Sequence, residues 1–443
     1  MKKTFRLLEF CLLGVVLVAC VTLPAFTPVP LPAATALPST NTAFSPGMTV
    51  LLPTATAVPP TNTVISLTNT ITPPTETRAP GPAVAIYQIQ MLDQTNGWGW
   101  ISETDNTSRI LRTQDGAATW TDVSPQGQSI SPYDSFFLDP QTAWIALYDP
   151  TNNANTLLRT TDGGKTWTTL PQAESIQNAR YQFSSANEGV AETVGVGAGN
   201  AYFNLYQTHD GGATWTPILL TSPTAETGLP EGTVHLCNIC GDSLYYDPAR
   251  VVITYGDLAN DPAGVVHLSI STDLGQHWND LKLPLPDQKY ADGMQAPKSP
   301  AFFGADGLLP VTIMQYGAGD SIAYKVLAMY ATHDGGQSWN LAPAILENDK
   351  MMFDSVQILS MQDAFVRCGR NLCATHDGAQ TWLTLPDNLN FDSTVGGPDY
   401  VSQFEFINPA SGWAVSGEGA ASILWKTVDG GTTWTKLAPT LVK

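Results

Sequence analysis

The stretch Thr208-His-Asp-Gly-Gly-Ala-Thr-Trp215 decides the fold, because the chain contains seven copies of this motif. Every copy has Ser or Thr two places before an aspartate and Trp five places after it. Successive aspartates lie 47, 48, 63, 61, 43 and 52 residues apart. The seven pairs are Asp115 and Trp120, Asp162 and Trp167, Asp210 and Trp215, Asp273 and Trp278, Asp334 and Trp339, Asp377 and Trp382, and Asp429 and Trp434.

The composition of the motif is that of a tight turn between two strands. Aspartate can accept hydrogen bonds from backbone N–H groups of the turn, and glycine permits a positive φ. Tryptophan can then pack against the neighbouring sheet. Ala117 and Ala379 stand where glycine is usual, so we expect those two turns to be strained or of another type. We assign all seven pairs to structure.

The spacing of the copies suits four short strands per unit, with the motif turning the third strand into the fourth. Unit seven has four such segments, VSQFEFI, GWAVSG, ILWKTVD and TTWTKLA. A single sheet would expose both faces, whereas seven sheets stacked around an axis cover one another. We therefore predict an all-β, seven-bladed propeller of antiparallel blades over residues 84–443. The sequence does not show how the ring closes, since no extra strand is evident before Tyr87.

The first 20 residues are typical of an export signal, with Lys2, Lys3 and Arg6 before an apolar stretch that is too short to span a bilayer. The run Leu17-Val-Ala-Cys20 resembles a bacterial lipoprotein box, which implies acylation of Cys20 and cleavage just before it. We expect a protein anchored to the outer face of the cell membrane. The alternative is an ordinary secretory signal in which the cysteine is incidental.

Residues 21–83 are rich in Pro, Thr, Ala and Val, and their only charged residues are Glu76 and Arg78. Such a composition cannot form a core, and proline favours an extended or coil spacer. We expect a disordered stalk, with threonines that could carry O-linked glycans.

The motifs resemble the Asp-box, or bacterial neuraminidase, repeats, and strings such as GWAVSG and LLRTTDGGKTW are similar to the photosystem II assembly factor branch. The resemblance covers about 360 residues. It implies a propeller whose turn motifs lie opposite the ligand face. The resemblance says little about function, because the superfamily includes sialidases, xyloglucanases and sortilin-like receptors. The assembly-factor branch has an arginine-rich partner face, whereas this chain is poor in arginine.

An enzyme is the alternative to a binding module, and glycoside hydrolysis is the reaction that the resemblance implies. The propeller has seven arginines and no Arg-Ile-Pro string of the sialidase type. A carboxylate pair such as Asp134 and Asp354 remains possible, although any acidic propeller offers such pairs. Four of the six histidines fall inside the motifs. We expect no metal site and no cofactor.

Four cysteines of the propeller form two close pairs, Cys237 with Cys240 and Cys368 with Cys373. Together they could bind zinc. The first pair is predicted near the end of the inner strand of unit four, and the second beside a turn at the opposite end of the ring. Two local disulfides in an oxidising compartment are therefore the preferred interpretation.

The partner is predicted from charge and loop length. A net charge of −19 disfavours nucleic acid, which would repel the domain. The longest intervals contain the segments 221–233 and 284–300, which are predicted connections between units. We expect a monomer that binds a protein or glycan through a rim containing Glu231, Lys289, Tyr290 and Lys298. Insertions without a role are the alternative.

Overall fold

A computed structural model describes residues 81–442, apart from 104–106, 126–131, 150–153, 172–175, 177–178, 198–199, 221–242, 256–264, 318–321, 348–350 and 393–399. The strands form seven sheets, which confirms the predicted seven-bladed propeller with antiparallel blades. No helix among the residues described has the length and apolar character needed to cross a membrane.

The first four blades follow one another along the chain, each with four strands. Blade 1 contains β1 (Gln88–Met91), β2 (Gly97–Ser102), β3 (Ser108–Thr113) and β4 (Thr119–Asp122); blade 2 contains β5 (Pro132–Phe137), β6 (Ala143–Asp149), β7 (Ala154–Thr160) and β8 (Thr168–Leu170). Blade 3 contains β9 (Arg180–Phe183), β10 (Gly189–Gly197), β11 (Asn200–Thr208) and β12 (Thr216–Leu220); blade 4 contains β13 (Ser243–Asp247), β14 (Arg250–Tyr255), β15 (Val265–Ser271) and β16 (Asn279–Pro284).

The last three blades complete the ring. Blade 5 contains β17 (Met294–Pro297), β18 (Ala301–Phe303), β19 (Asp306–Tyr316), β20 (Ile322–Thr332), β21 (Asn340–Leu341) and β22 (Leu346–Glu347). Blade 6 contains β23 (Met351–Ile358), β24 (Ala364–Cys368), β25 (Asn371–Thr375) and β26 (Leu383–Thr384); blade 7 contains β27 (Val401–Phe406), β28 (Gly412–Ser416), β29 (Ile423–Thr427) and β30 (Thr435–Lys436). A last strand, β31, spans Thr440–Val442.

The hydrophobic core lies between the blades. The described residues form seven clusters of buried side chains, and each cluster joins two adjacent blades. The second strands are buried on both faces, as in GWGWIS of β2 and GWAVS of β28, which explains why apolar residues run through them without alternation. Blade stacking therefore supplies the burial that a lone sheet lacks.

The ring is closed by β31, which pairs in parallel with β4 of blade 1. The Leu441 N–H donates to the Pro82 C=O at 2.9 Å, and the Val84 N–H donates to the Pro439 C=O at 3.0 Å. The two ends of the propeller thus meet on blade 1. Residues just before the predicted boundary at 84 take part in this closure. No local pattern indicates it, because β31 is only three residues long.

The antiparallel order of each blade creates two distinct faces. The turn face carries the seven motifs together with the links between first and second strands. These links are hydrogen-bonded to the motifs, as when the Gly116 N–H donates to the Thr95 C=O at 2.9 Å and the Gly211 N–H donates to the Asn187 C=O at 2.8 Å. The far face carries the hairpins between second and third strands and the connections between blades.

Blade 5 departs most from the four-strand pattern. Its first strand is divided into β17 and β18, and its outer strand into β21 and β22. The strands β19 and β20 each have 11 residues and extend the far face. The prediction that 284–300 is a connecting segment was wrong in part, because Met294–Pro297 is a strand and Gln288–Tyr290 is a 3-10 turn.

Candidate functional site

The turn motifs form one repeated hydrogen-bond network. In the copy at Asp210, one carboxylate oxygen accepts from the Thr214 N–H at 2.9 Å and from the Thr208 hydroxyl at 2.8 Å, and the other accepts from the Thr214 hydroxyl at 2.6 Å. The Thr208 hydroxyl in turn accepts from the Gly212 N–H at 2.9 Å. Both oxygens of the carboxylate are therefore hydrogen-bonded within its own turn.

The same contacts keep these aspartates ionised. For Asp162, the Thr166 N–H and then the Thr166 hydroxyl lower the pKa to about 2. For Asp377, the Thr381 hydroxyl and then its N–H lower the pKa to about 2. Such a group is a poor general acid and a poor base near neutral pH. The geometry gives these aspartates a role in fixing the turn.

Each motif tryptophan packs between its own blade and the preceding one. Trp339, for example, lies in the cluster between blades 4 and 5. In five copies the indole N–H donates to the backbone C=O three residues earlier: Trp120, Trp215, Trp278, Trp339 and Trp434. Trp167 instead donates to the Val123 C=O of blade 1 at 2.7 Å.

The substituted turns keep the same backbone. Ala117 has φ 76 and Ala379 has φ 61, in the left-handed region that glycine normally occupies. Leu274 also has a positive φ, 57; it directly follows Asp273, where the other six copies have glycine. These turns therefore have the same conformation as the glycine-containing copies, and each has one non-glycine residue with a strained backbone.

The structure places the rim candidates in different surroundings. Lys289 is exposed beside a far-face groove, whereas Tyr290 is only 2% exposed and packs in the core between blades 4 and 5. Tyr290 nevertheless lines the groove, with most of its ring packed in that core. Lys298 does not line that groove; its N–H donates to the Pro310 C=O. Glu231 lies outside the described residues, as does Cys20.

The groove of about 600 Å³ is bounded by the 3-10 turn and by the far-face end of blade 5; we call it the blade-5 groove. Its lining residues are Lys289, Tyr290, Ala323, Tyr324, Lys325, Val326 and Glu347. The Tyr290 and Tyr324 rings meet edge to face at 5.2 Å, and the Lys289 ammonium lies 4.6 Å from the Tyr290 ring centroid. The groove thus combines aromatic surface with charge.

One carboxylate organises this groove. Glu347 accepts hydrogen bonds from the Tyr290 hydroxyl and from the Lys289 ammonium, the latter at 3.1 Å. The Tyr290 contact, followed by the Lys289 contact, lowers the pKa of Glu347. Two lysines and one glutamate leave the lining with a net positive charge in a chain of net charge −19. The Lys289 charge is nevertheless met by Glu347, and Asp292 places a further negative charge near Tyr324.

A second pocket, of about 260 Å³, lies among the first strands of blades 7, 1 and 2. First strands of adjacent blades contact one another, as β1 does β27, so this pocket is near the ring axis. Its polar lining consists of Gln88, Gln90, Gln403 and Glu405. The Glu405 carboxyl accepts from the Met91 N–H at 2.6 Å, and burial raises its pKa to about 8. No motif in the sequence marks this glutamate.

The cysteines of blade 6 are joined. Cys368 and Cys373 form a disulfide across the hairpin of β24 and β25, with a Cα–Cα distance of 5.7 Å. The predicted position of Cys237 and Cys240 near the end of the inner strand of unit four was wrong, because that strand, β13, begins at Ser243, after both cysteines. Cys237 and Cys240 themselves lie outside the described residues.

Among the residues that the structure describes, no group of three or more His, Cys, Asp or Glu side chains is arranged to hold a metal ion. The side chains of Asp134 and Asp354, the hydrolase pair considered above, are not among those described.

The sequence of this chain matches a known family of propeller domains. A model described as the DUF6242 beta propeller domain matches residues 94–366, more than half of the sequence. The chain belongs to the DUF6242 beta-propeller family. No curated protein matches its sequence.

Several solved propellers are similar in fold to this DUF6242 protein. "YCF48 bound to D1 peptide" has 16% identity over 79% of this chain and 93% of that chain, with a TM-score of 0.46. YCF48 from Cyanidioschyzon merolae has 14% identity over 79% and 97%, with a TM-score of 0.41. A polysaccharide lyase of family PL25, an ulvan lyase, has 10% identity over 81% and 96%, with a TM-score of 0.45. At these identities the function has to be argued from the residues of this chain.

Proposed function

We propose that this protein is a binding module held outside the cytoplasm by a lipid on Cys20. The segment 21–83 would act as the stalk, and the propeller would capture a protein or glycan on its far face. The blade-5 groove carries this proposal, because it combines two tyrosines with a net positive lining in an acidic chain. Concave surfaces with a few convergent polar groups are the usual ligand sites.

The state of the motif aspartates supports binding over catalysis. The carboxylate of each copy accepts at least three hydrogen bonds from groups of its own turn, as in Asp115 and Asp429. The seven copies also lie on the turn face, away from the groove. This arrangement is what the Asp-box resemblance implies, and we extend it to a role in partner assembly like that of the photosystem II assembly factor branch.

Site-specific crosslinking tests this function. A photoreactive residue at Ala323, which is exposed in the groove, is compared with one at Lys165, which is exposed on the turn face. On intact cells we expect a discrete crosslinked product from position 323 and none from position 165. Equal products from both positions, or none from either, would contradict a far-face binding module.

An extracytoplasmic glycoside hydrolase is the alternative, and Glu405 is the observation that favours it. A carboxyl group with a pKa of about 8 is protonated at neutral pH, as a general acid must be. Hydrolysis would release reducing sugar from sialosides or β-glucans, and Glu405→Gln would abolish it. If the wild-type protein is inactive on both substrate classes while crosslinking succeeds, the binding module stands.

A further inference from the structure

The pocket among the first strands of blades 7, 1 and 2, which we call the axial pocket, contains polar groups that the fold does not use. Gln403 is fully used, since its amide oxygen accepts from the Ile89 N–H at 3.0 Å and its amide N–H donates to the Ile89 C=O at 2.6 Å. Glu405 uses one carboxyl oxygen, on the Met91 N–H. Its other oxygen has no hydrogen-bond partner among the described residues, yet it is not enclosed. That oxygen is therefore available to a ligand.

A glutamate is not needed at this position to join the blades. Gln357 of blade 6 holds the equivalent place, and its amide binds both the N–H and the C=O of Phe406. A glutamine at position 405 could bind the Met91 backbone in the same way. The carboxyl group instead leaves one hydrogen-bonding atom for the pocket.

The first strand of blade 1 lines the other side of the axial pocket. Gln88 and Gln90 are both exposed there. The Gln88 amide makes no hydrogen bond within the described part of the chain, and Gln90 uses only its N–H, on the Phe137 C=O at 3.4 Å. Trp100 and Phe137 supply apolar surface. The pocket thus combines aromatic surface with amide groups that have unused donors and acceptors.

The described lining of the axial pocket carries no permanent charge. Glu405 is its one ionisable side chain, and burial raises the pKa to about 8, so below that pH the carboxyl group is neutral and can donate. An ion bound here would lose its water without meeting an opposite charge, which is costly. Hydroxyl groups suit the lining better, because each can both donate and accept.

The size of the pocket limits the ligand further. Its volume of about 260 Å³ lies below the range of about 300–1,000 Å³ that is usual for drug-sized ligands. A single sugar ring with its hydroxyl groups is the kind of ligand that fits these limits.

We propose that the axial pocket binds one uncharged sugar residue, with the Gln88 amide and the free Glu405 oxygen as its hydrogen-bond partners. Glu405 acts here as a binding group, because glycoside hydrolysis needs a second carboxyl group about 5–9.5 Å away and the described lining contains none. The site is separate from the blade-5 groove. It goes beyond the proposed function, which does not depend on it.

Saturation-transfer NMR on the full-length protein tests this site. The probes are the methyl glycosides of glucose, galactose, mannose and N-acetylglucosamine, with that of glucuronate as the charged comparator. We expect at least one uncharged glycoside to bind and the glucuronate to bind more weakly. Gln88→Ala should reduce the affinity at least fivefold. Gln114→Ala, at an exposed glutamine on the turn face of the same blade, is the matched control and should have no effect.

The outcomes of this experiment are distinct. Failure of every uncharged glycoside to bind at millimolar concentration would overturn the proposal, as would equal affinities for Gln88→Ala and Gln114→Ala. Glucuronate that binds as tightly as the uncharged sugars would also contradict it. Crosslinking at position 323 tests the blade-5 groove independently, so the proposed function survives if this inference alone fails.

The pH dependence of sugar binding tests the part played by Glu405. The neighbouring strands QIQM of β1 and GWAVS of β28 contain no titratable residue, whereas β5 contains Tyr133 and Asp134, whose side chains are not among those described. The wild-type affinity should fall at least threefold between about pH 6 and about pH 9.5, as the carboxyl group loses its proton. Glu405→Gln keeps a donor at this place, so its affinity should not change over that range.

Two results would remove Glu405 from the site. An equal fall in affinity for wild type and Glu405→Gln would assign the pH dependence to another group. Release of reducing sugar from a bound disaccharide, abolished by Glu405→Gln, would make the pocket an active site and overturn a purely binding role.

Discussion

Gln357 in β23 forms two hydrogen bonds with the backbone of Phe406 in β27, the first strand of the next blade. Its amide N–H donates to the Phe406 C=O at 2.9 Å, and its amide oxygen accepts from the Phe406 N–H at 2.7 Å. Gln182 likewise donates to the Leu244 C=O at 3.0 Å. A glutamine near the end of the first strand thus ties adjacent blades together close to the ring axis.

Glu405 occupies the equivalent position in blade 7, where the ring closes. It accepts from the Met91 N–H, as Gln357 accepts from that of Phe406. The folded pKa of about 8 lies above the ordinary value of 4.5, so the folded state holds a proton that the unfolded state releases. Stability should therefore be greatest below about pH 4.5 as far as this group is concerned, and it should fall as pH rises toward about 8. The slope is at most about 1.4 kcal/mol per pH unit.

Glu405→Gln should remove this pH dependence, because an amide does not ionise in this range. The amide N–H can also donate to a backbone C=O. Denaturant unfolding measured from pH 5 to pH 9 should give a flatter profile for the variant and a higher stability than the wild type at pH 9. Glu418→Gln, at an exposed position of the same blade, is the control. Parallel profiles for wild type and Glu405→Gln would refute the raised pKa.

The motif hydroxyl is a second site where stability can be predicted. Thr208 is 1% exposed, and its hydroxyl contacts both Asp210 and the Gly212 N–H. Thr208→Val keeps the shape but leaves a buried N–H without an acceptor, which should cost about 1–3 kcal/mol in unfolding free energy.

Thr208→Ser is the matched control for this variant, because Ser271 holds the same position in blade 4 and makes the same contacts. It should retain nearly all of the stability. Peptide or partner binding in the blade-5 groove should be the same in both variants, since the turn lies on the opposite face. A loss of binding without a loss of stability would assign the motif a direct functional role.

The repeated motif made most of this fold predictable. A tryptophan five residues after each aspartate marks one blade interface, and seven such marks fix the number of blades. What could not be predicted depends on contacts between distant parts of the chain. The closure by β31 joins Leu441 to Pro82, and no local pattern in a three-residue strand indicates it.

The site was harder to predict for a similar reason. Lys289 was found because it lies in a long interval between motifs, but its partner Glu347 lies 58 residues away and carries no motif. Tyr290 lies in the same interval, but its burial depends on packing between blades 4 and 5, which no local pattern indicates. The sequence around Glu405 is that of an ordinary strand. Only the packing of three blades around its carboxyl group raises the pKa.

The disulfide of blade 6 provides a test of compartment as well as stability. Cys368 and Cys373 are five residues apart, so the bond closes a short loop. Their double substitution by alanine should lower the unfolding free energy by about 2 kcal/mol. Mass spectrometry of unreduced protein after thiol labelling should find both cysteines unmodified. Labelling of both would show that the bond is absent in the cell.

The remaining pair can be assigned with the same double variant. If Cys237 and Cys240 form a second disulfide, a reductant should destabilise the double variant further and expose two new thiols to labelling. If they are free, the reductant should leave the double variant unchanged. Since disulfides persist in oxidising compartments, two protected pairs would support a location outside the cytoplasm.

Membrane attachment is predicted to depend on a single side chain, that of Cys20. Lipid addition needs the thiol of this residue, so Cys20→Ala should abolish anchoring while leaving the apolar export segment unchanged. Fractionation of cells that produce the variant should find the propeller in the soluble extracytoplasmic fraction or in the medium, whereas the wild type sediments with membranes. Cys11→Ala, within the apolar stretch, is the matched control and should remain membrane-bound. Retention of Cys20→Ala on membranes would mean that another part of the chain holds the protein there, and the lipid anchor would have to be abandoned.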